Sequence, residues 1–92
     1  MKQIRVKVLL EGRVQGVSMR YYTQRKASEV GVTGFVRNLS DGRVEAVFEG
    51  AEEKVNAMLE WCQTGAPSAR IDSIALRYEE PEGRFAGFNV RH

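Results

Sequence analysis

The chain has 92 residues, 14 of them Lys or Arg and 12 Asp or Glu, for a formal net charge of +2. A chain of this length buries somewhat over ~60% of its unfolded surface, which is enough for one core without metal or disulfide staples but leaves no room for separate catalytic and substrate domains. The charge is weak and its basic residues are scattered, which argues against nucleic acid; the lone Cys62 excludes an intrachain disulfide, and no apolar stretch is long enough to span a bilayer.

The first segment alternates, with Ile4, Val6, Val8 and Leu10 on one face and Gln3, Arg5 and Lys7 on the other, as in a half-buried strand. The same polar interruptions make the start of the chain unlike a signal-peptide core. One domain over residues 1–92 and a cytoplasmic location are therefore the expectations. A glycine-containing loop, residues 12–17, follows. Ser18 then stands where an N-cap belongs, ahead of a helix to about Val30 with Met19, Thr23, Ala27 and Val30 at helical spacing. Gly31 is placed for a left-handed C-cap.

Residues 32–39 and 43–49 read as two strands joined by Ser40-Asp41-Gly42, a tight hairpin connection. In the second, Val44, Ala46 and Phe48 share a face opposite Glu45 and Glu49. A second helix starts near Ala51, with Glu52 and Glu53 in the first turn, where the helix dipole favours them. Its core stripe is Val55, Met58, Leu59 and Cys62. Gly65 and Pro67 end it. Ile74, Leu76 and Tyr78 alternate as a fourth strand, and a loop around Pro81-Glu82-Gly83 leads to a short last strand with Phe88 and Val90.

The order β-α-β-β-α-β-β predicts an α+β fold. Its form is a ferredoxin-like βαββαβ sandwich, an antiparallel sheet with two helices on one face and a short extra C-terminal strand. In that topology the start of the first helix and the end of the second strand meet at one sheet edge. Two strand spacings, roughly 10 Å, separate them.

Two places at that edge can carry chemistry. The loop Gly12-Arg13-Val14-Gln15-Gly16-Val17-Ser18 joins a strand to a helix, so its backbone N–H groups and the helix start can form an anion nest. Arg20 lies in the first helical turn, where the dipole disfavours a cation by roughly 0.3–1 kcal/mol. A phosphate held between loop amides and guanidinium accounts for it, and so does a solvated surface arginine packed along its stem. Asn38 sits near the end of the second strand, where Asn is disfavoured. It is either a turn residue bonding its own backbone or an amide that orients an attacking water. The remaining candidates read plainly. Cys62 completes an apolar stripe, Trp61 lies beside it, His92 has no partners for a metal site, and Asp72 and Glu79 to Glu82 are solvated charges. Tyr21 and Tyr22 are core and surface residues of the helix, with Tyr21 in reach of an acyl group.

Residues 10–20, LEGRVQGVSMR, and residues 34–50, GFVRNLSDGRVEAVFEG, resemble the two signatures of the acylphosphatase family, in order and without a gap. The resemblance implies hydrolysis of acyl phosphates to a carboxylate and inorganic phosphate, with no metal, no cofactor and no phosphoenzyme. Carried over by position, Arg20 binds the substrate phosphate beside the backbone amides of Gln15, Gly16, Val17, Ser18 and Met19, and Asn38 orients the water. The implied partners are a small-molecule acyl phosphate and inorganic phosphate as product and inhibitor. No nucleic acid, no membrane and a monomeric state complete the expectation. The last strand is implied to join the sheet beside the second strand, bringing the His92 carboxylate toward the same edge. Ser18-Met19 departs from the Gly-aromatic pair of many members, which implies altered acyl preference. An RNA-recognition module on the same sheet would need exposed strand aromatics, and the first and third strands present Arg5, Lys7, Glu45 and Glu49 instead. A carbamoyl-phosphate-handling domain of a larger maturation enzyme and a non-catalytic relative are the other readings.

Overall fold

The computed structural model describes residues 2–92 and consists of β1 (Gln3–Arg13), α1 (Met19–Val30), β2 (Thr33–Asn38), β3 (Val44–Ala51), α2 (Glu52–Cys62), β4 (Arg70–Glu79) and β5 (Phe88–Arg91). The five strands form one sheet in the order β4-β1-β3-β2-β5. All neighbouring pairs are antiparallel except β2 and β5, which run parallel, so the extra strand makes the sheet mixed. Among the described residues no helix is long and apolar enough to cross a membrane.

The alternation in β1 sends Val6, Val8 and Leu10 into the core, fully buried, where they meet Val44, Ala46 and Phe48 of β3. Both helices cover this face, α1 through Met19, Thr23 and Ala27 and α2 through Val55, Met58 and Cys62. Thr23 is buried without penalty because its hydroxyl donates to the Met19 carbonyl at 2.7 Å. Burial pushes the Cys62 thiol up to about 12, so it packs as a small apolar residue. Gly31 takes the left-handed C-cap, its N–H bonded to the Ala27 carbonyl. The apolar face of β4 is less covered than its alternation suggests. Leu76 and Tyr78 sit opposite Val8 and Val6 but stay exposed, because β4 is the outer strand on that side.

The other sheet face departs most from the sequence expectation. Glu45 and Glu49 point away from the helices, yet both are buried. Lys7 Nζ lies 3.1 Å from the Glu45 carboxylate, and Arg37 Nε donates to it at 2.7 Å. The Glu49 carboxylate accepts from the backbone N–H groups of Glu82 and Gly83, both at 2.9 Å, with Arg5 at 3.6 Å. The 80–87 segment therefore returns across this face through backbone contacts, with Phe85 and Gly87 half-buried and its other residues exposed, and Arg5 Nε donates to Glu79. Phe35 stacks under Arg91 at 3.8 Å and tilts against Phe85, which in turn carries Arg5 at 5.0 Å. The aromatics that a base-stacking surface would expose are thus covered by cations of the same chain.

Burial pushes the Glu45 carboxyl up, but hydrogen bonds from Arg37 and Lys7 and their charges outweigh it and hold the group below its ordinary value. A carboxyl depressed in the folded state contributes stability that is present above its unfolded pKa and lost as pH falls through the folded one. Glu45→Gln is accordingly expected to be less stable than the native chain at pH 6, with the gap closing toward pH 3. Urea unfolding at both pH values checks this, and an unchanged gap would remove the ion-paired carboxylate as its source.

Candidate active site

Strand register brings the two ends of interest level with each other. Leu10 of β1 and Asn38 of β2 both pair with Val44 of β3, so one row crosses the sheet from the end of β1 to Asn38. Arg37 pairs with Arg91 in the parallel β5, which carries His92 up beside Asn38. β1 itself runs on to Arg13 through a bulge at Glu11 and Gly12, so the connecting loop is shorter than expected, residues 14–18.

That loop is anchored by its apolar residues and turned by its backbone. Val14 and Val17 are buried in the core cluster, at 1% and 8% exposure. Gly16 (φ 74°) and Ser18 (φ 61°) are both left-handed, on either side of Val17. Alternating hand along the chain swings successive N–H groups to one side, the geometry of an anion nest. Among the described residues, the N–H groups of residues 15–18 donate to no protein acceptor. Ser18 occupies the N-cap position, and its carbonyl accepts the first helical bond from Tyr22 N–H at 3.1 Å. Its side chain, however, makes no capping bond. An N-cap hydroxyl reaches the next turn from an extended backbone, and a left-handed one aims it elsewhere. A left-handed residue with a Cβ costs about 1–2 kcal/mol, so strain is stored in the nest.

The loop, the first turn of α1 and the strand ends enclose an open cleft of about 540 Å³ lined by Val14, Gly16, Ser18, Met19, Arg20, Tyr21, Gln24, Asn38, Val90 and His92. The cleft brings together Gly16, Ser18, Met19, Arg20 and Asn38 from the residues singled out by sequence. Val17 and the side chain of Gln15 are turned elsewhere. Val17 enters the core, and Gln15 reaches the β2–β3 hairpin, where its Nε2 donates to the Leu39 carbonyl at 2.8 Å and the Arg43 carbonyl at 3.0 Å. The Asn38 amide has no protein hydrogen-bond partner among the described residues.

Arg20 is held by the C-terminal strand. Its Nη1 donates to the Arg91 carbonyl at 3.4 Å and lies 3.1 Å from His92 Nδ1. The contact therefore runs through a carbonyl and an imidazole. His92 lines the cleft, at the edge where the family resemblance placed it, but with its imidazole toward Arg20 where the carboxylate was expected. The parallel pairing of β5 with β2 sets this position, since nothing local in the sequence places residue 92 beside residue 20. Tyr21 is 56% exposed and stands edge-on to Tyr22, ring centroids 5.2 Å apart, so it forms part of the cleft wall and not the core. Among the described residues no three His, Cys, Asp or Glu side chains are arranged to hold a metal ion.

The acylphosphatase family model matches residues 6–90. A protein named acylphosphatase from Trichormus variabilis is 57% identical over 88 residues, covering 96% of this chain and 86% of the relative. The crystal structure of acylphosphatase from Bacillus subtilis superposes with a TM-score of 0.92 at 29% identity, covering 97% of this chain and 99% of that one. An acylphosphatase from Coxiella burnetii gives a TM-score of 0.91 at 34% identity, with 97% and 93% coverage.

Proposed function

The chain belongs to the acylphosphatase family and is a hydrolase of acyl phosphates, and from that premise we propose that its cleft works by phosphate capture and a held water. The N–H groups of Gln15, Gly16, Val17, Ser18 and Met19 and the guanidinium of Arg20 bind the nonbridging phosphate oxygens, and Asn38 orients the nucleophile. The observation that carries this reading is the shared cleft: a row of paired residues sets Asn38 across from a loop in which the N–H groups of residues 15–18 have no acceptor among the described residues.

The chemistry asks little more of the protein. Phosphoryl transfer depends mainly on positioning and on stabilising charge over the equatorial oxygens, which fixed amides and one fork-shaped cation supply. The Asn38 amide carries both a donor and an acceptor, so it can fix a water by two contacts and aim one lone pair at phosphorus. The water oxygen forms the new P–O bond as the bond to the acyl oxygen breaks, and the carboxylate leaves. The carboxylate is a good leaving group and takes its negative charge without a general acid. The water proton passes to a phosphate oxygen or to solvent, since no Asp or Glu lines the cleft among the described residues. No metal, cofactor or phosphoenzyme enters this scheme. Inorganic phosphate, the product, occupies the same nest and inhibits. A monomer is the proposed working state.

Asn38→Ala separates the two halves of the proposal. Benzoyl phosphate turnover is expected to fall by about 100-fold, the order attributed to losing a well-oriented reacting group, while phosphate inhibition persists. Full turnover by this variant would remove Asn38 from the reaction. Loss of phosphate binding in the same proportion would make it a ligand of the anion instead.

A further inference from the structure

We propose that the Gln15 side chain is a positioning residue for the hydrolysis, a clamp that fixes the end of β2, and with it Asn38, against the phosphate loop. The inference rests on the reading of Asn38 as the water-orienting group. Gln15 contributes its backbone to one half of the site and its side chain to the other. Its Nε2 carries two hydrogens, and both are used, one on the Leu39 carbonyl and one on the Arg43 carbonyl. Those two residues form the closing pair of the hairpin: Leu39 N–H donates to the Arg43 carbonyl at 2.8 Å, and Gly42 N–H donates to the Leu39 carbonyl at 3.2 Å. Each carbonyl therefore accepts one bond from within the hairpin and one from Gln15. Both partners are acceptors, so the amide must present its NH₂ group here. A carboxylate or thioether could not replace it.

The clamp holds one side more than the other. The loop is seated on the core by Val14 and Val17, independently of Gln15. The hairpin tip has no such anchor. Ser40, Asp41 and Gly42 are exposed, and the polar contacts of Asp41 are with Arg43 of the same turn. Without the Gln15 amide the nest keeps its shape, while Leu39, and Asn38 directly before it, gain freedom relative to the phosphate. The consequence falls on turnover and not on anion binding, because a displacement of about 1 Å in a reacting group costs on the order of 100-fold in rate.

The test uses Gln15→Met, which keeps length without donors, and Gln15→Asn, which keeps the amide but falls short of the hairpin. Both are expected to retain the native fold by circular dichroism and to lower kcat for benzoyl phosphate by about 10- to 100-fold. The inhibition constant for inorganic phosphate should stay within about twofold of native in both. In the Asn38→Ala background, Gln15→Met should cost nothing further, since the group it positions is gone. Native kcat in folded Gln15→Met overturns the clamp while leaving Asn38 in place. So does an equal loss of phosphate affinity, an additive double variant, or the unfolding of both single variants. Full activity of Asn38→Ala, by contrast, defeats the underlying reading of the site itself.

Discussion

Arg20→Ala should lose about 10³-fold in kcat/KM for benzoyl phosphate, the range found when an arginine or a preorganised donor is removed from a transferring phosphoryl group. It should also lose inhibition by phosphate, since the same guanidinium serves ground state and transition state. Its stability, however, should hold or rise slightly. Arg20 is only half-buried, makes no ion pair among the described residues, and its cation lies at the wrong end of the α1 dipole. Removing it relieves roughly 0.3–1 kcal/mol of unfavourable charge–dipole energy, against the loss of two hydrogen bonds at an exposed strand end. Rate loss without stability loss separates a ligand-binding arginine from a packed surface one, the two readings that spacing alone left open. Arg20→Lys should fall between, because an ammonium restores charge but not the fork. Activity within tenfold of native in Arg20→Ala, or a midpoint of thermal unfolding lowered by many degrees, would return Arg20 to the surface.

The helix side of the sheet was legible from sequence because its signals are periodic. Val6, Val8 and Leu10, the hairpin at Asp41-Gly42 and the α2 stripe each follow from spacing, and the structure places them as expected. The meeting of the loop and Asn38 followed from topology, since a strand inserted between two others fixes both their separation and their direction. The open face was not legible. Burial of Glu45 and Glu49 depends on pairing with Lys7, Arg37 and Arg5 across neighbouring strands and on a return of the 80–87 segment; alternation puts Arg5 and Lys7 on that face but says nothing of the cross-strand register or of the return. The family resemblance placed the last strand beside the second and His92 at the catalytic edge, and the β2–β5 pairing agrees; what it did not give is that the imidazole, with the Arg91 carbonyl, is what meets Arg20. Ser18 was read correctly as a boundary and incorrectly as a capping side chain, because composition locates a cap but not the hand of its backbone.

Gly34→Ala should be the most damaging single methyl that can be added to this chain's second signature. Gly34 has φ 138°, and a Cβ there would sit 1.8 Å from the Val47 carbonyl oxygen and 2.8 Å from its carbon. Backbone atoms of a paired strand cannot rotate away, so β2 and β3 must separate locally. The neighbours explain why the position is empty. Phe48 and Phe88 are the register partners of Gly34 on its two sides, and their rings stack at 5.6 Å with an interplanar angle of 19°. Strands two places apart lie roughly 10 Å from each other, so the rings close that distance by leaning together over the glycine. A methyl group meets the Phe88 ring as well, at 3.4 Å. Strain in a disfavoured backbone region costs about 1–3 kcal/mol and overpacking a similar amount, which together remove a large share of the ~5–15 kcal/mol that holds a domain folded. Urea unfolding should show a loss of at least ~3 kcal/mol, or no folded state at all. Gly16→Ala is the contrast, because a Cβ there meets nothing within 4 Å and only the left-handed φ of 74° opposes it. Its stability cost should stay near ~1 kcal/mol. If Gly34→Ala unfolds no more easily than Gly16→Ala, the Phe48–Phe88 stack does not depend on the missing side chain, and the glycine of the second signature serves something other than packing.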